Sequence, residues 1–165
     1  MKMSKKPDLN DVKYDAYLTN YKTLKNPEIV PVTPGQTVRL RVINGSGSSN
    51  FFVKTGSLKA EAIATDGNDI NPFPSDAFQL AVAQRLDILV KIPEEEGAYP
   101  ILAQGEGTRM QTGLILATPN SRITPISEQT ETTAGSLNDD QERQFKAHHA
   151  RLCVASGNGS LVQAP

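Results

Sequence analysis

Two stretches of strict alternation decide what this chain can fold into. In Thr37–Asn44, TVRLRVIN, the residues Val38, Leu40 and Val42 fall on one side and Arg39 and Arg41 on the other. In Ser75–Ile92, SDAFQLAVAQRLDILVKI, a first alternation runs through Phe78, Leu80 and Val82, and then Leu86, Ile88, Val90 and Ile92 make the cleanest apolar face of the sequence. Successive side chains of a strand point to opposite faces, so a period of two belongs to half-buried β-strands and not to helices. Val38, Leu40, Val42, Leu86, Ile88 and Val90 are therefore the expected core.

Shorter strand candidates surround these two. VKYDAYL alternates Val12, Tyr14, Ala16 and Leu18 against Lys13, Asp15 and Tyr17. EIVPV contains Pro31, whose missing N–H confines it to a sheet edge or a bulge. Phe51–Thr55, Leu58–Ala64, Tyr99–Gln104 and Thr112–Ala117 complete the series. Turn chemistry separates them: Thr33-Pro34-Gly35, the polar loop Asn44–Asn50, Asp66-Gly67, the two prolines within Asn71–Ser75, and Pro93–Gly97. Turns recurring roughly every 8–12 residues, with no helix-period stripe between them, describe a β-sandwich of about 100 residues. The expected architecture is all-β, a Greek-key sandwich over residues 12–118, followed by a C-terminal linker and a short helix.

The flanks read differently. Residues 1–11 are a charged lead-in, and residues 119–165 form the linker-and-helix region. Ser121–Ser136 is rich in Ser, Thr and Glu, a composition that buries little. Asn138–Leu152 is expected as one helix, with Asn138 as cap, Asp139 and Asp140 at its positive end and Arg151 at the other. Phe145 and Leu152 are the main members of its apolar face, so it needs a partner surface to hold.

Composition narrows the partners. The 165 residues carry a net charge of −1, which argues for neither nucleic acid nor an anionic membrane surface. No apolar run approaches a membrane span. The opening MKMSKKPDLND has basic residues but no apolar segment after them, so it is not a secretory signal as written. The single cysteine, Cys153, cannot form an internal disulfide.

The segments YDAYLTN, VRLRVING, AIATDG, AQRLDILVKI, GAYPILA and QTGLIL, in this order between residues 12 and 118, resemble the second, plastocyanin-like domain of multicopper oxidases, in particular the bacterial laccase-like branch. The resemblance implies a cupredoxin-like fold and a middle domain that carries no copper. In such a parent, paired His-x-His motifs and a His-Cys-His stretch in the flanking cupredoxin domains hold the metal. This chain would be the scaffold between those domains, with residues 119–165 leading toward the third. The parent reaction would be one-electron oxidation of small substrates coupled to reduction of oxygen to water, in a periplasmic or other extracytoplasmic setting. Flanking cupredoxin domains of the same chain would be the partners, and the isolated domain would expose apolar patches and self-associate.

The candidate sites fit that picture. A blue copper centre needs two imidazoles and a thiolate, usually with a weak axial Met. The only histidines, His148 and His149, are adjacent on the expected helix, and Cys153 lies just beyond. His149 and Cys153, four apart, supply at most half of a tetrahedral site. No catalytic or metal-ligating residue is therefore expected in this chain. Glycines in Asn44–Asn50 lead into strand text rather than a helix, so the loop is not a phosphate cradle. Asp66–Asp69 lacks the register and distal Glu of a calcium loop. Arg85 and Asp87 project from one strand face about 6.5–7 Å apart and are expected as an ion pair clamping a strand end, with substrate binding as the other reading. Arg39 and Arg41 read as a strand's polar face or as contacts to a neighbouring domain. A different class, a stand-alone ligand-binding sandwich, would display Tyr17, Tyr21 and Phe73, although a chain without Trp is poorly equipped for it. A small copper electron carrier is the third reading.

Overall fold

The computed structural model describes residues 13–134, and these fold entirely as β-structure. Nine strands follow one another: β1 (Glu28–Pro31), β2 (Thr37–Ile43), β3 (Phe51–Lys54), β4 (Lys59–Thr65), β5 (Asn68–Pro74), β6 (Ala77–Leu80), β7 (Arg85–Lys91), β8 (Ala98–Gly105) and β9 (Gln111–Ala117). They make a five-stranded sheet in the order β1-β9-β8-β3-β6 and a four-stranded sheet in the order β2-β7-β4-β5. Every pairing is antiparallel except β1 with β9.

The alternations place the core between the sheets. β7 lies inside its sheet, and Ile88, Val90 and the following Ile92 are fully buried, with Leu86 nearly so. Opposite them stand Val53, Phe78, Leu80, Ile101 and Leu116. Each such side chain contributes about 1.5–3 kcal/mol by leaving water. Val38, Leu40 and Val42 pack against this cluster but stay half-buried. The reason is position: β2 is an edge strand, so its inward face is covered on one side only.

Pro31 sits in β1, at the edge of the five-stranded sheet. β5 escapes a reading that treats Pro72 and Pro74 as turn chemistry, yet Asn68–Pro74 pairs with β4. As the last strand of its sheet it needs only one ladder, which a proline tolerates. Asp66 and Gly67, at φ 48° and 85°, form the tight turn between β4 and β5. The alternation after β6 stops at Leu80: Val82 is 39% exposed, and Ala83 takes a φ of 63° in the turn before β7.

Two other expectations are corrected. The described part of VKYDAYL is no strand; its one ladder contact is the bridge between Thr19 and Lys22 that follows. Side-chain packing holds it instead, with the Tyr17 ring 4.8 Å from Phe51 in an edge-on contact and its hydroxyl 3.0 Å from Ser49 Oγ. The stretch expected as linker returns to the sandwich. Thr130 N–H donates to Arg109 O, Ala134 N–H to Thr108 O, and Gln111 N–H to Glu128 O, at 2.8–3.1 Å. The expected helix over Asn138–Leu152, with His148, His149 and Cys153, lies outside the described residues.

Candidate functional site

Charge gathers on the outer face of the four-stranded sheet. Arg39 donates from Nε and Nη2 to the same Asp87 oxygen, at 2.9 and 2.5 Å. Arg41 Nε is 3.6 Å from that oxygen. Arg85, expected beside Asp87, turns instead to Asp66, which lies 3.8 Å from its Nε and accepts its backbone N–H at 2.9 Å. The expected pair is replaced by cross-strand ones: Asp66 accepts the Arg85 backbone N–H, while Asp87 stands opposite Arg41 and diagonal to Arg39, within reach of both long side chains. Arg39 and Arg41 are 44% and 73% exposed, so each ion pair is worth at most about 1 kcal/mol. The cluster joins β2 to β7 and leaves most of Arg41 facing outward.

Two buried amides knit the loops, and neither stands out in the sequence. Asn44, at the end of β2, donates from Nδ2 to Ser49 O at 2.8 Å and Leu80 O at 3.2 Å, while its Oδ1 accepts from Ser46 N–H and Oγ–H. The loop Asn44–Asn50, polar enough to read as flexible, is thereby closed on itself. Gln104, fully buried in β8, accepts from Lys54 Nζ at 2.7 Å. Its Nε2 faces Thr108 O, Thr130 Oγ1 and Thr132 O at 2.7–3.0 Å. Those bonds anchor residues 127–134 across the outer face of the five-stranded sheet. The only available signal was a polar residue inside an apolar strand, which alternation alone assigns to solvent.

Between the sheets, along β2, lies a cavity of about 810 Å³. Val38, Leu40 and Val42 line one wall, Thr112 and Leu114 of β9 another, and the segment from Tyr14 to Tyr21 the mouth. Tyr17, Tyr21 and Phe73 do not come together as one exposed aromatic platform. Tyr17 is 9% exposed and Phe73 packs on the core, so only Tyr21, at 97%, stands free of the surface.

The described residues do not fit copper. They contain no His and no Cys, and no three carboxylates converge among them. Asp66 and Asp87 are engaged with arginines. Among the described residues no helix is long and apolar enough to cross a membrane.

Residues 4–125 match the family model for multicopper oxidase. Copper resistance protein A of Escherichia coli is 34% identical over 137 residues, covering 78% of this chain and 22% of that protein. The copper resistance protein A homolog of Pseudomonas syringae pv. tomato is 38% identical over 89 residues, 54% of this chain and 14% of its own length. The chain thus spans under a quarter of these relatives. Among solved structures, the blue copper oxidase from Nitrosomonas europaea superposes with a TM-score of 0.56 at 18% identity, over 69% of this chain and 39% of that one. The two-sheet sandwich is accordingly of the cupredoxin type.

Proposed function

This chain belongs to the multicopper oxidase family, and we propose that it serves there as a copper-free middle domain that spaces and orients copper-bearing neighbours. The observation that carries this reading is a buried apolar core without metal-ligating chemistry among the described residues. Ile88, Val90, Ile92 and Leu116 are fully buried, and the described sandwich holds neither imidazole nor thiolate. A cupredoxin-type sandwich that holds its fold by apolar packing is suited to geometric work. Its outer face with Arg39, Arg41, Arg85, Asp66 and Asp87 offers charged contacts to a neighbouring domain. Exposed Leu18, Tyr21, Ile29 and Ile43 offer apolar ones, and are where the isolated chain would self-associate.

In this reading copper belongs to the parent enzyme, held by flanking cupredoxin domains. The parent oxidises small substrates one electron at a time and reduces oxygen to water in an extracytoplasmic compartment. The isolated chain has no catalytic residue of its own.

Copper titration of the isolated chain tests the proposal. The expected result is no stoichiometric Cu(II) retained after dialysis and no intense visible charge-transfer band, both in the native chain and in the variant His148→Ala/His149→Ala/Cys153→Ala. One retained equivalent with a blue absorption would overturn it and favour a small copper carrier.

A further inference from the structure

We propose that the free edge of β2 is a strand-docking site, which accepts an extended polypeptide segment whose side chains alternate between apolar and acidic. Four edges bound the two sheets, and three are blunted. β1 carries Pro31, β5 carries Pro72 and Pro74, and β6 is only four residues long. β2 has seven residues, no proline and, among the described residues, β7 as its one ladder partner. Long unblunted edges invite pairing.

Among the described residues the backbone of that edge is open. Ile92 N–H donates to Gln36 O, Asn44 N–H to Gln84 O, and Ala83 N–H to Asn44 O. These bonds turn the even-numbered residues of β2 toward β7. By the alternation of an antiparallel ladder, Thr37, Arg39, Arg41 and Ile43 aim their N–H and C=O groups outward. Among the described residues no backbone group accepts or donates there.

The side chains say what would fit. The cavity of about 810 Å³ runs along this same strand, with half-buried Val38, Leu40 and Val42 facing Leu114 across it. The four-stranded sheet is in effect one strand short of covering the inward face of β9. An added strand would send every second side chain into this apolar space and the others to the outer face, beside Arg39 and Arg41. One carboxylate, Asp87, serves both arginines, so the outward positions favour acids. The same charges disfavour a second copy: pairing two β2 strands about Leu40 sets each copy's Arg39 against the other's Arg41. Main-chain bonds would give affinity, and the alternating side chains specificity.

The test uses the full isotopically labelled chain and two capped seven-residue peptides, one alternating Val with Glu and one alternating Val with Lys. The Val/Glu peptide is expected to slow amide exchange at Arg39 and Arg41 at least tenfold and to bind at least fivefold more tightly than the Val/Lys peptide. Arg41→Glu should reverse that preference with an unchanged far-ultraviolet spectrum. Arg41→Pro, which removes an outward N–H and leaves the β7 ladder intact, should abolish both signals. The proposal is overturned if neither peptide protects these amides, or if they are already protected in the free monomer. Protection that instead grows with protein concentration alone would assign the edge to a second copy, and peptide shifts confined to the Val38, Leu40 and Val42 methyls would assign the cavity to a small apolar ligand.

Discussion

Asp87 on β7 holds Arg39 on the neighbouring β2 through two hydrogen bonds to one carboxylate oxygen, while Arg85, two residues away on its own strand, pairs with Asp66. The register places Asp87 directly opposite Arg41 and diagonally across from Arg39, within reach of both long side chains. A double-mutant cycle should give Arg39 and Asp87 a coupling of about 0.5–1 kcal/mol in urea unfolding, shrinking in 1 M salt, because the arginine is 44% exposed. The coupling of Arg85 with Asp87 should be near zero. A larger Arg85–Asp87 coupling would show that the along-strand pair forms in solution.

Gln104 ties residues 127–134 to the sandwich, and losing its amide should loosen them as a unit. Gln104→Leu keeps the volume but strands Lys54 and removes the donor to Thr130 Oγ1, leaving Thr132 O with Thr130 Oγ1 alone. Unpairing buried polar groups costs about 1–3 kcal/mol. Hydrogen exchange should rise at Thr130 and Ala134, whose N–H groups bond Arg109 O and Thr108 O, with little change in β7. A uniform change across both sheets would mean that the segment does not open separately.

How much of this was legible in advance depended on what each residue bonds to. Leu86, Ile88 and Val90 were readable because a central strand writes its burial as alternation. β5 was not, because prolines mark turns and edge strands alike, and only the pairing with β4 distinguishes them. The return of residues 127–134 rests on backbone bonds and on Gln104, and a Ser/Thr/Glu composition carries neither. The Arg85–Asp87 expectation counted neighbours along the chain, whereas the sheet supplies competing partners across it.

Position within the sheet should grade the core. Ile88 is fully buried in the interior strand β7, whereas Leu40 is half-buried on the edge strand β2. Ile88→Ala is expected to cost about 2–5 kcal/mol. Leu40→Ala should cost less than half as much, since its site already opens on the cavity and leaves no new closed void. Equal losses in chemical denaturation would mean that β2 is covered in solution.

Gly113 in β9 has no room for a side chain. A Cβ there would collide with the Ile101 carbonyl oxygen and come within 3.0 Å of Leu102 Cα, both backbone atoms of the paired strand β8. Backbone cannot swing aside as a flexible side chain can, so β8 and β9 would have to separate. Gly113→Ala should destabilise the fold by about 3 kcal/mol or more, well beyond ordinary helix or strand propensity. Gly45→Ala is the control, because its added Cβ meets nothing within 4 Å, and its midpoint in urea should barely move.

Tyr21 should be improvable. Thr19 and Lys22 exchange both backbone hydrogen bonds, at 2.9 and 3.0 Å, around a two-residue turn. The central residues Asn20 and Tyr21 have φ values of 49° and 65°, the type I′ combination that favours Asn followed by Gly. Asn20 suits its place, but Tyr21 holds a left-handed backbone while 97% exposed, so its ring gains nothing from packing in return. Tyr21→Gly relieves that strain at the cost of greater freedom in the unfolded chain. Strain relief of about 1–2 kcal/mol against an entropy cost of about 0.5–1 kcal/mol leaves a net gain near 0.5–1 kcal/mol. Thermal unfolding should show a midpoint raised by a few degrees, and Tyr21→Ala, which keeps the Cβ, should not reproduce it. A lower midpoint for the glycine variant would mean that Tyr21 makes a stabilising contact in solution, and would direct attention to a partner bound at this turn.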